Sequence, residues 1–255
     1  MRTAAWTSAV TVLDRITAVF DAFGEHDEGL GVSELARHAN LPKSSISRIA
    51  GELVEQGLLD REGDTFYLGA RLFEFGQTVE RPRRLRHFAY PVMAGLRDLT
   101  SQSVQLAVLD GTDVVFLAIA RSEPAIRPHA RIGGRLPAHA TAVGKAIMAF
   151  SPPELVEEVV QGGLAPRTPH TITASDSLVR ELLQIRGAGV ATERDECVIG
   201  RSCMASPVLA PGGEPFAAIS VAGSSSDIGG EHLAAAVRAA AATLSHRAAG
   251  LGRMN

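Results

Sequence analysis

Residues 33–53 read SELARHANLPKSSISRIAGEL, a pattern typical of two short helices joined by a tight turn. Leu35 and Ala36 give the first helix a small apolar face. Asn40 follows where the chain must turn, and asparagine is among the few residues other than glycine that tolerate a positive φ. Pro42 suits the first turn of the second helix, because its missing N–H would be unpaired there in any case. The stretch therefore predicts a helix-turn-helix.

The segments on either side extend this motif. Upstream, apolar residues recur every three or four positions from Val10 to Phe23, which predicts an amphipathic helix with Ser8 as its N-cap. Downstream, the apolar pairs around residues 58–59 and 65–67 flank a Glu-Gly-Asp turn, and this predicts a β-hairpin that turns at Gly63. Residues 1–69 are therefore predicted to form a winged helix-turn-helix.

The second helix of the pair has a polar face opposite Ile46 and Ile49. That face consists of Lys43, Ser44, Ser45, Ser47 and Arg48. We predict that it enters the major groove of double-stranded DNA, where its side chains contact base edges or phosphates. A cation in the first turn of a helix, such as Lys43, is destabilised by the helix dipole by ~0.3–1 kcal/mol. A phosphate nearby would make the electrostatic energy of this cation favourable. Arg15 and Arg61 are predicted to contact the DNA backbone.

The charge of this region is unfavourable for DNA. Residues 1–69 carry six basic side chains against eleven acidic ones, a net charge of −5. This favours an alternative in which the winged helix binds only protein. However, the acids cluster elsewhere, in the loop at residues 25–28 and at Glu52 and Glu55 toward the far end of the recognition helix. We therefore prefer local DNA binding and keep the protein-interaction scaffold as an alternative.

The whole-chain composition excludes several classes of protein. The chain has 255 residues, of which 45% are apolar and 21% charged, which is unlike a disordered chain. Its net charge of −3 provides no overall attraction to nucleic acid or membrane. Two cysteines cannot form a disulfide framework, and Lys145 and Arg238 interrupt the two stretches that approach the ~18 apolar residues of a membrane span. We therefore expect a cytoplasmic protein with no membrane segment. Aromatic residues, at 5%, are too few for a single-strand stacking platform.

A basic segment follows the winged helix. Residues 70–86 hold five arginines against two acids, a net charge of +3, and Pro82 is expected to end or kink a helix there. We predict that residues 70–86 form a linker helix between two domains.

The remainder, residues 87–255, mixes strands and helices. Two apolar runs around Asp110-Gly111-Thr112-Asp113 predict an antiparallel hairpin. Helices are predicted near residues 141–150, 176–186 (with Ser175 as N-cap) and 231–249, and strands near 189–193, 201–209 and 215–221. Such a mixture around an antiparallel sheet predicts an α+β domain.

Four motifs in this order resemble the isocitrate lyase regulator (IclR) family of bacterial transcription factors. They are LPKSS with Arg48 at 41–48, YLG at 67–69, HATAVGKA at 139–146, and GRSCMASPV at 200–208 followed by ISV at 219–221. The resemblance implies an N-terminal winged helix-turn-helix, a linker helix and a GAF-like domain, with an antiparallel sheet, that binds small organic acids. It also implies homodimers or tetramers on palindromic operators.

The resemblance also implies an effector site. Carried over residue by residue, the family's pocket falls on Ala142, Val143, Glu193, Cys203 and Ser220. The first two would offer the unpaired backbone amides of a helix start to a carboxylate. The family often has aspartate at the position of Glu193, and an ionised carboxylate there would repel an anionic ligand unless it is protonated or accepts a hydrogen bond. A hydroxylated or hydrated acid is therefore our hypothesis for the effector.

Enzyme and metal chemistry find less support in the sequence. Gly144-Lys145 is not a P-loop, because His139 stands where that motif needs glycine and Ala146 where it needs Ser or Thr. Nothing at fixed spacing orients His139 toward Cys203 as a base toward a nucleophile. Cys197 and Cys203 would be ~20 Å apart on an extended strand, beyond disulfide reach, unless Gly200 bends it.

No His/Cys pair has zinc-site spacing, and the acidic cluster Glu193, Asp195 and Glu196 reads better as a solvated loop than as a cation site. We therefore expect a regulator that is not an enzyme, with no cofactor and no metal. A thiol- or metal-dependent hydrolase fused to a winged helix remains the enzymatic alternative.

Overall fold

The computed structural model describes residues 11–24, 29–122 and 130–249. The chain divides into two compact units between Glu80 and Arg81. This division falls inside the predicted linker, residues 70–86, so the predicted domain boundaries after residues 69 and 86 stay predictions.

The N-terminal unit is helical with a small sheet. Its elements are α1 (Val12–Ala22), β1 (Leu30–Gly31), α2 (Val32–Ala39), α3 (Lys43–Glu55), β2 (Leu59–Glu62), β3 (Thr65–Leu68) and α4 (Ala70–Thr78). Helix α1 begins after Thr11, whose hydroxyl accepts from the amide of Asp14 while the Asp14 carboxylate accepts from the amide of Thr11. This capping box replaces the predicted cap at Ser8, which lies outside the described residues.

The turn between α2 and α3 confirms the prediction for Asn40. This residue has φ 52° and ψ 44°, and the Leu41 amide behind it donates to the carbonyl of Ala36 at 3.1 Å. Helix α3 then begins directly after Pro42. Leu35 and Ile46 are both completely buried and pack the two helices onto a shared core. Other members of this core include Val19, Ile49, Leu53, Leu59 and Phe66.

The predicted β-hairpin is present and forms the wing of the winged helix. Strands β2 and β3 pair antiparallel around Gly63, which has φ 60°, and β1 adds an unpredicted third strand in the order β1-β3-β2. Arg61 pairs in register with Phe66, so that its guanidinium lies 5.5 Å from the centre of the Phe66 ring.

The segment predicted as a linker helix contains a break. Helix α4 ends at Thr78, Val79 is extended, and α5 (Glu80–Thr100) begins immediately. The expectation that Pro82 ends or kinks a helix is wrong. Pro82 lies in the first turn of α5, where a missing amide costs no helical hydrogen bond.

The C-terminal unit confirms the α+β class. A six-stranded antiparallel sheet has the order β6-β5-β4-β9-β8-β7. Its strands are β4 (Ser103–Asp110), β5 (Asp113–Ala120), β6 (Arg135–Pro137), β7 (Ala191–Arg194), β8 (Arg201–Leu209) and β9 (Pro215–Ser224). Its helices after α5 are α6 (Ala142–Met148), α7 (Pro153–Gln161), α8 (Ser175–Ala188) and α9 (Glu231–Ala249).

Helices cover both faces of this sheet. On one face α5 and α9 pack Met93, Val237 and Leu244 against Leu106 and Ile219. On the other, α6 and α8 bring a second set onto the sheet that includes Val143, Ile147, Leu178, Leu182 and Ala205. Because strand residues alternate between the two faces, the central strands are apolar on both sides.

Most sequence-predicted elements of this unit match, with local corrections. The hairpin pairs Asp110 with Asp113 as expected. Ser175 is the first residue of α8 and not its N-cap, a position that Ala174 occupies, and the αL residue that ends this helix is Gly189 with φ 69°. Strand β6 and helix α7 were not predicted. Within the described ranges, no helix is long and apolar enough to cross a bilayer.

Candidate functional site

Two regions carry the residues predicted to act. The first is the polar face of α3. Lys43, Ser44, Ser47 and Arg48 are exposed and Ser45 is half-buried, whereas Ile46, on the opposite face, is fully enclosed. The helix therefore presents this face to solvent and its apolar face to the core.

Arg48 already has an ionic partner on its own helix. Its guanidinium lies 2.8 Å from Glu52 Oε1, with 61% and 59% of the two side chains exposed. Such an exposed pair contributes about 0–1 kcal/mol and is easily exchanged for another anion. Glu52 thus reduces the local positive charge but does not block Arg48.

The two arginines predicted to contact the DNA backbone lie on other elements. Arg61 is exposed at the wing, where its Nε donates to the Gly63 carbonyl at 2.8 Å and a terminal nitrogen lies 3.6 Å from Asp64. Arg15 is half-buried on α1, and its Nε has no hydrogen-bond partner in the described part of the chain. Arg37, exposed in the last turn of α2, is a further cation of the motif that the sequence pattern did not nominate.

The second region is a pocket in the C-terminal unit. All five residues of the predicted effector site line it, namely Ala142, Val143, Glu193, Cys203 and Ser220. The space between its walls is about 440 Å³, part of it open to solvent. Further lining residues that the sequence did not nominate include Gln105, Phe116, Leu136, Thr141, Cys197 and Arg201.

Strand register explains why distant residues meet here. Glu193 on β7 pairs with Cys203 on β8, which pairs in turn with Ala222 on β9. Ser220 on β9 pairs with Gln105 on β4, and the Ser220 hydroxyl lies 3.4 Å from Gln105 Oε1. These side chains belong to one face of four neighbouring strands, and the start of α6 covers that face.

The start of α6 is held close to the preceding turn. The Thr141 hydroxyl accepts from the Gly144 amide at 3.1 Å, which leaves the amides of Ala142 and Val143 without a partner inside the helix. A Cβ on Gly144 would lie 2.2 Å from the Ala138 carbonyl oxygen, so only glycine permits this approach. The glycine of the HATAVGKA motif therefore fixes the position of the start of α6, whose first two residues line the pocket.

Among the described residues that line the pocket, Glu193 is the single acidic one. It is 2% exposed, and its Oε1 accepts from the amides of Glu196 at 2.7 Å and Cys197 at 3.0 Å. Burial raises the pKa of Glu193 to about 7, although the two amide hydrogen bonds oppose that rise. At neutral pH the side chain is thus partly protonated, which reduces its repulsion of an anion.

A buried ion cluster lies behind the pocket. Lys145, completely enclosed, donates from Nζ to Glu181 Oε1 at 2.5 Å, to Glu196 Oε1 at 2.6 Å and to the Thr192 carbonyl at 3.0 Å. Burial raises the pKa of Glu196, and the ammonium of Lys145 opposes this. The sequence pattern gave Lys145 no role beyond the rejected P-loop, yet this residue joins α6, α8 and the loop after β7.

The segment between the two cysteines is not an extended strand, because the bend considered at Gly200 is present. The chain from Asp195 to Arg201 folds back on itself: the Asp195 amide donates to the Arg201 carbonyl at 2.8 Å and Gly200 has φ 81°. The bend that Gly200 permits brings both Cys197 and Cys203 to the wall of one pocket.

The two thiols and His139 lie in different surroundings. Burial raises the pKa of Cys197 to about 11 and that of Cys203 well above its usual range, so both thiols stay protonated and are weak nucleophiles. Cys203 is half-buried and Cys197 is buried, and both line the pocket. His139 Nε2 lies 3.2 Å from the Ala165 carbonyl oxygen, away from the pocket lining, and burial lowers its pKa.

The acidic loop beside Glu193 is internally bonded. The Asp195 carboxylate accepts from the Ser225 hydroxyl and from the Gly200 amide, each at 2.7 Å. In the described ranges no three His, Cys, Asp or Glu side chains are grouped so that they could hold a metal ion.

A winged helix-turn-helix and an α+β unit with an internal pocket together define a class, the ligand-responsive transcription regulators. The sequence profile of the IclR helix-turn-helix domain matches residues 12–63, and that of the C-terminal domain of bacterial IclR transcriptional regulators matches residues 77–246. The chain belongs to the IclR family of bacterial transcriptional regulators, as its motifs indicated.

Comparison with individual relatives supports this family assignment. The chain is 30% identical over 226 residues to the transcriptional repressor IclR of Escherichia coli K12, covering 87% of this chain and 82% of that protein. It is 30% identical over 220 residues to the regulator BhcR of Paracoccus denitrificans, covering 85% and 78%. A solved IclR homologue from Microbacterium hydrocarbonoxydans, complexed with 4-hydroxybenzoate, matches with TM-score 0.83 and 30% identity over 93% of this chain and all of that one. The first two relatives are named as transcriptional regulators, and neither alternative, the fused hydrolase or the protein scaffold, finds support among the three.

Proposed function

We propose that Lys43, Ser44, Ser45, Ser47 and Arg48 read a DNA operator and that a small organic acid in the C-terminal pocket changes the affinity for that operator. The observation that carries the first half is the exposed polar face of α3 over a fully packed apolar one. Arg15 and Arg61 are proposed to contact phosphates. On this proposal the protein is not an enzyme, which agrees with the raised pKa values of both thiols.

The effector is proposed to meet Ala142, Val143, Glu193, Cys203 and Ser220. Backbone amides at the start of α6 and a partly protonated Glu193 suit a carboxylate that also carries a hydroxyl group. The Microbacterium relative supports this proposal, because its ligand, 4-hydroxybenzoate, is a hydroxylated acid.

The assembly is proposed to be a homodimer or tetramer on a palindromic operator in the cytoplasm, where the chromosome is. Two winged helices at fixed spacing would match two half-sites, and effector binding would shift the population of arrangements. Coupling of ~1–3 kcal/mol would change operator affinity by ~5- to 150-fold.

The DNA half is tested by selecting bound sequences from random duplexes with and without small acids. The variant S44A/S45A/R48A is expected to lose sequence preference, because the side chains that reach base edges are removed. S175A/S177A/R180A on α8 is the matched control, since it also removes two serines and one arginine, of which Ser175 and Arg180 are exposed and Ser177 is half-buried. If a dimer uses about four cations per subunit on phosphates, log K should fall with log salt at a slope near −7. Unchanged sequence preference in the triple variant contradicts the proposal.

The effector half is tested by crystals soaked with candidate hydroxylated acids. We expect electron density between the start of α6 and Glu193. Density for the acid elsewhere would overturn the proposed site.

A further inference from the structure

The pocket contains a cation that the proposed function has not used. Among the described residues that line it, Arg201 is the single basic side chain and Glu193 the single acidic one. Arg201 stands two residues before Cys203 on β8, so strand alternation directs both side chains to the face on which the pocket lies.

Arg201 has no counter-ion in the described part of the chain. The residue is half-buried, and its guanidinium makes no ion pair or hydrogen bond there. Nearby acids are held by other groups: Glu193 by two backbone amides, and Asp195 by Ser225 and Gly200. A partly desolvated guanidinium that lacks a carboxylate is a ready partner for an anionic ligand, since the pairing is charge-assisted and bidentate.

The other walls suit the remainder of such a ligand. Phe116 and Leu136 form an apolar side, and the hydrogen-bonded pair of Gln105 and Ser220 offers donors and acceptors on the sheet. With a proton on Glu193, a single carboxylate would make the charge of the described lining neutral.

We propose that Arg201 binds the carboxylate of the effector and so makes the pocket selective for monocarboxylic acids with an apolar body over their uncharged analogues. This inference rests on the proposed function and assigns the specificity for negative charge to a side chain outside the five residues of the family pattern. The amides of Ala142 and Val143 then add to the site without determining the charge of the ligand.

The test compares acids with their neutral isosteres on the full chain. Calorimetry measures the affinity for benzoate, 4-hydroxybenzoate, benzamide and 4-hydroxybenzamide. The wild type is expected to prefer each acid over its amide by about 10- to 100-fold, the difference that one charge-assisted pair provides. R201Q should lose that preference and keep its affinity for the amides within about twofold, and R201K should retain part of it.

The matched control is R194Q. Arg194 is exposed on the neighbouring strand β7, donates to the Ile228 carbonyl and does not line the pocket, so its loss should leave the preference unchanged. An undiminished preference for acids in R201Q overturns this inference alone. Loss of acid and amide binding together in R201Q also overturns it, because Arg201 would then be structural. If the wild type binds neither acid, or binds each acid and its amide equally, this inference fails, whereas the proposed function is judged separately by the selection of duplexes with and without small acids.

Discussion

Replacement of Lys145 by methionine tests the buried ion cluster. Methionine has nearly the length of lysine and no charge, so the variant keeps the packing of α6 and removes the ammonium. Lys145 is completely buried and holds Glu181 and Glu196 through Nζ, with 29% and 10% of those side chains exposed. Glu181 can gain water after the change, whereas Glu196 is left as a buried carboxylate that already has one oxygen, Oε2, without a partner in the described structure.

The magnitude follows from this burial. At about 4 Å between charges and an effective dielectric of 20, each lost attraction is about 4 kcal/mol, and the recovered desolvation of the ammonium offsets part of the loss. Breaking a buried pair typically costs about 3–5 kcal/mol. The destabilisation that comes from Glu196 cannot exceed the cost of protonating its carboxylate. For a carboxyl of ordinary pKa 4.5, protonation costs about 5 kcal/mol at pH 8 and about 1 kcal/mol at pH 5.

We therefore expect K145M to lower the free energy of unfolding of the C-terminal unit by about 3–5 kcal/mol at pH 8 and by about 1 kcal/mol at pH 5. Hydrogen exchange of the full chain in increasing urea, read from peptides of α6 and β8, reports the opening of this unit alone. The double variant K145M/E196Q is the control and should recover part of the loss at pH 8. A cost below about 1 kcal/mol at pH 8, or an equal cost at both pH values, would refute the reasoning.

Three further changes have expected outcomes of their own. The folded pKa of Glu193, about 7, exceeds its ordinary 4.5, so its ionisation destabilises the fold increasingly as pH rises from 4.5 to 7. E193Q should thus stabilise the C-terminal unit by about 3 kcal/mol at pH 8 and hardly at pH 4 in urea unfolding, and equal effects would contradict this. G144A should cost about 3 kcal/mol or more, because its Cβ meets the Ala138 carbonyl, whereas G187A, in open space on α8, should be neutral or slightly stabilising by circular dichroism. N40A should lower the stability of the N-terminal unit by about 1 kcal/mol and N40G should not, since only Gly and Asn adopt φ 52° easily, and equal stabilities would argue against it.

Short-range patterns were enough to predict the winged helix. The helix-turn-helix rests on residues that interact within a few positions, such as Asn40 in its left-handed turn and Ile46 three residues before Ile49. The same holds for the hairpins at Gly63 and Asp110 to Asp113, where the turn type follows from two residues. Local signals were weaker at helix starts, where Thr11 and Ala174 replaced the expected caps, because several neighbouring residues can cap a helix.

The pocket residues also fall into two groups, those that sequence motifs identified and those that only tertiary structure revealed. The motifs alone identified Ala142, Val143, Glu193, Cys203 and Ser220, and the folded chain brings all five to one pocket. Arg201 and Gln105 were not recognised, because their approach depends on the register of three strands far apart in sequence.

The amino-acid sequence by itself determined the family, the helix-turn-helix and the polar face of α3, since these depend on residue types at short spacing. Tertiary structure alone decided which charges are buried and which are paired. Lys145 meets Glu181 and Glu196 across 36 and 51 residues of chain, and Arg201 is left without a counter-ion among the described residues. Desolvation and ion pairing act through space, so they become defined only when the sheet and its helices close around the pocket.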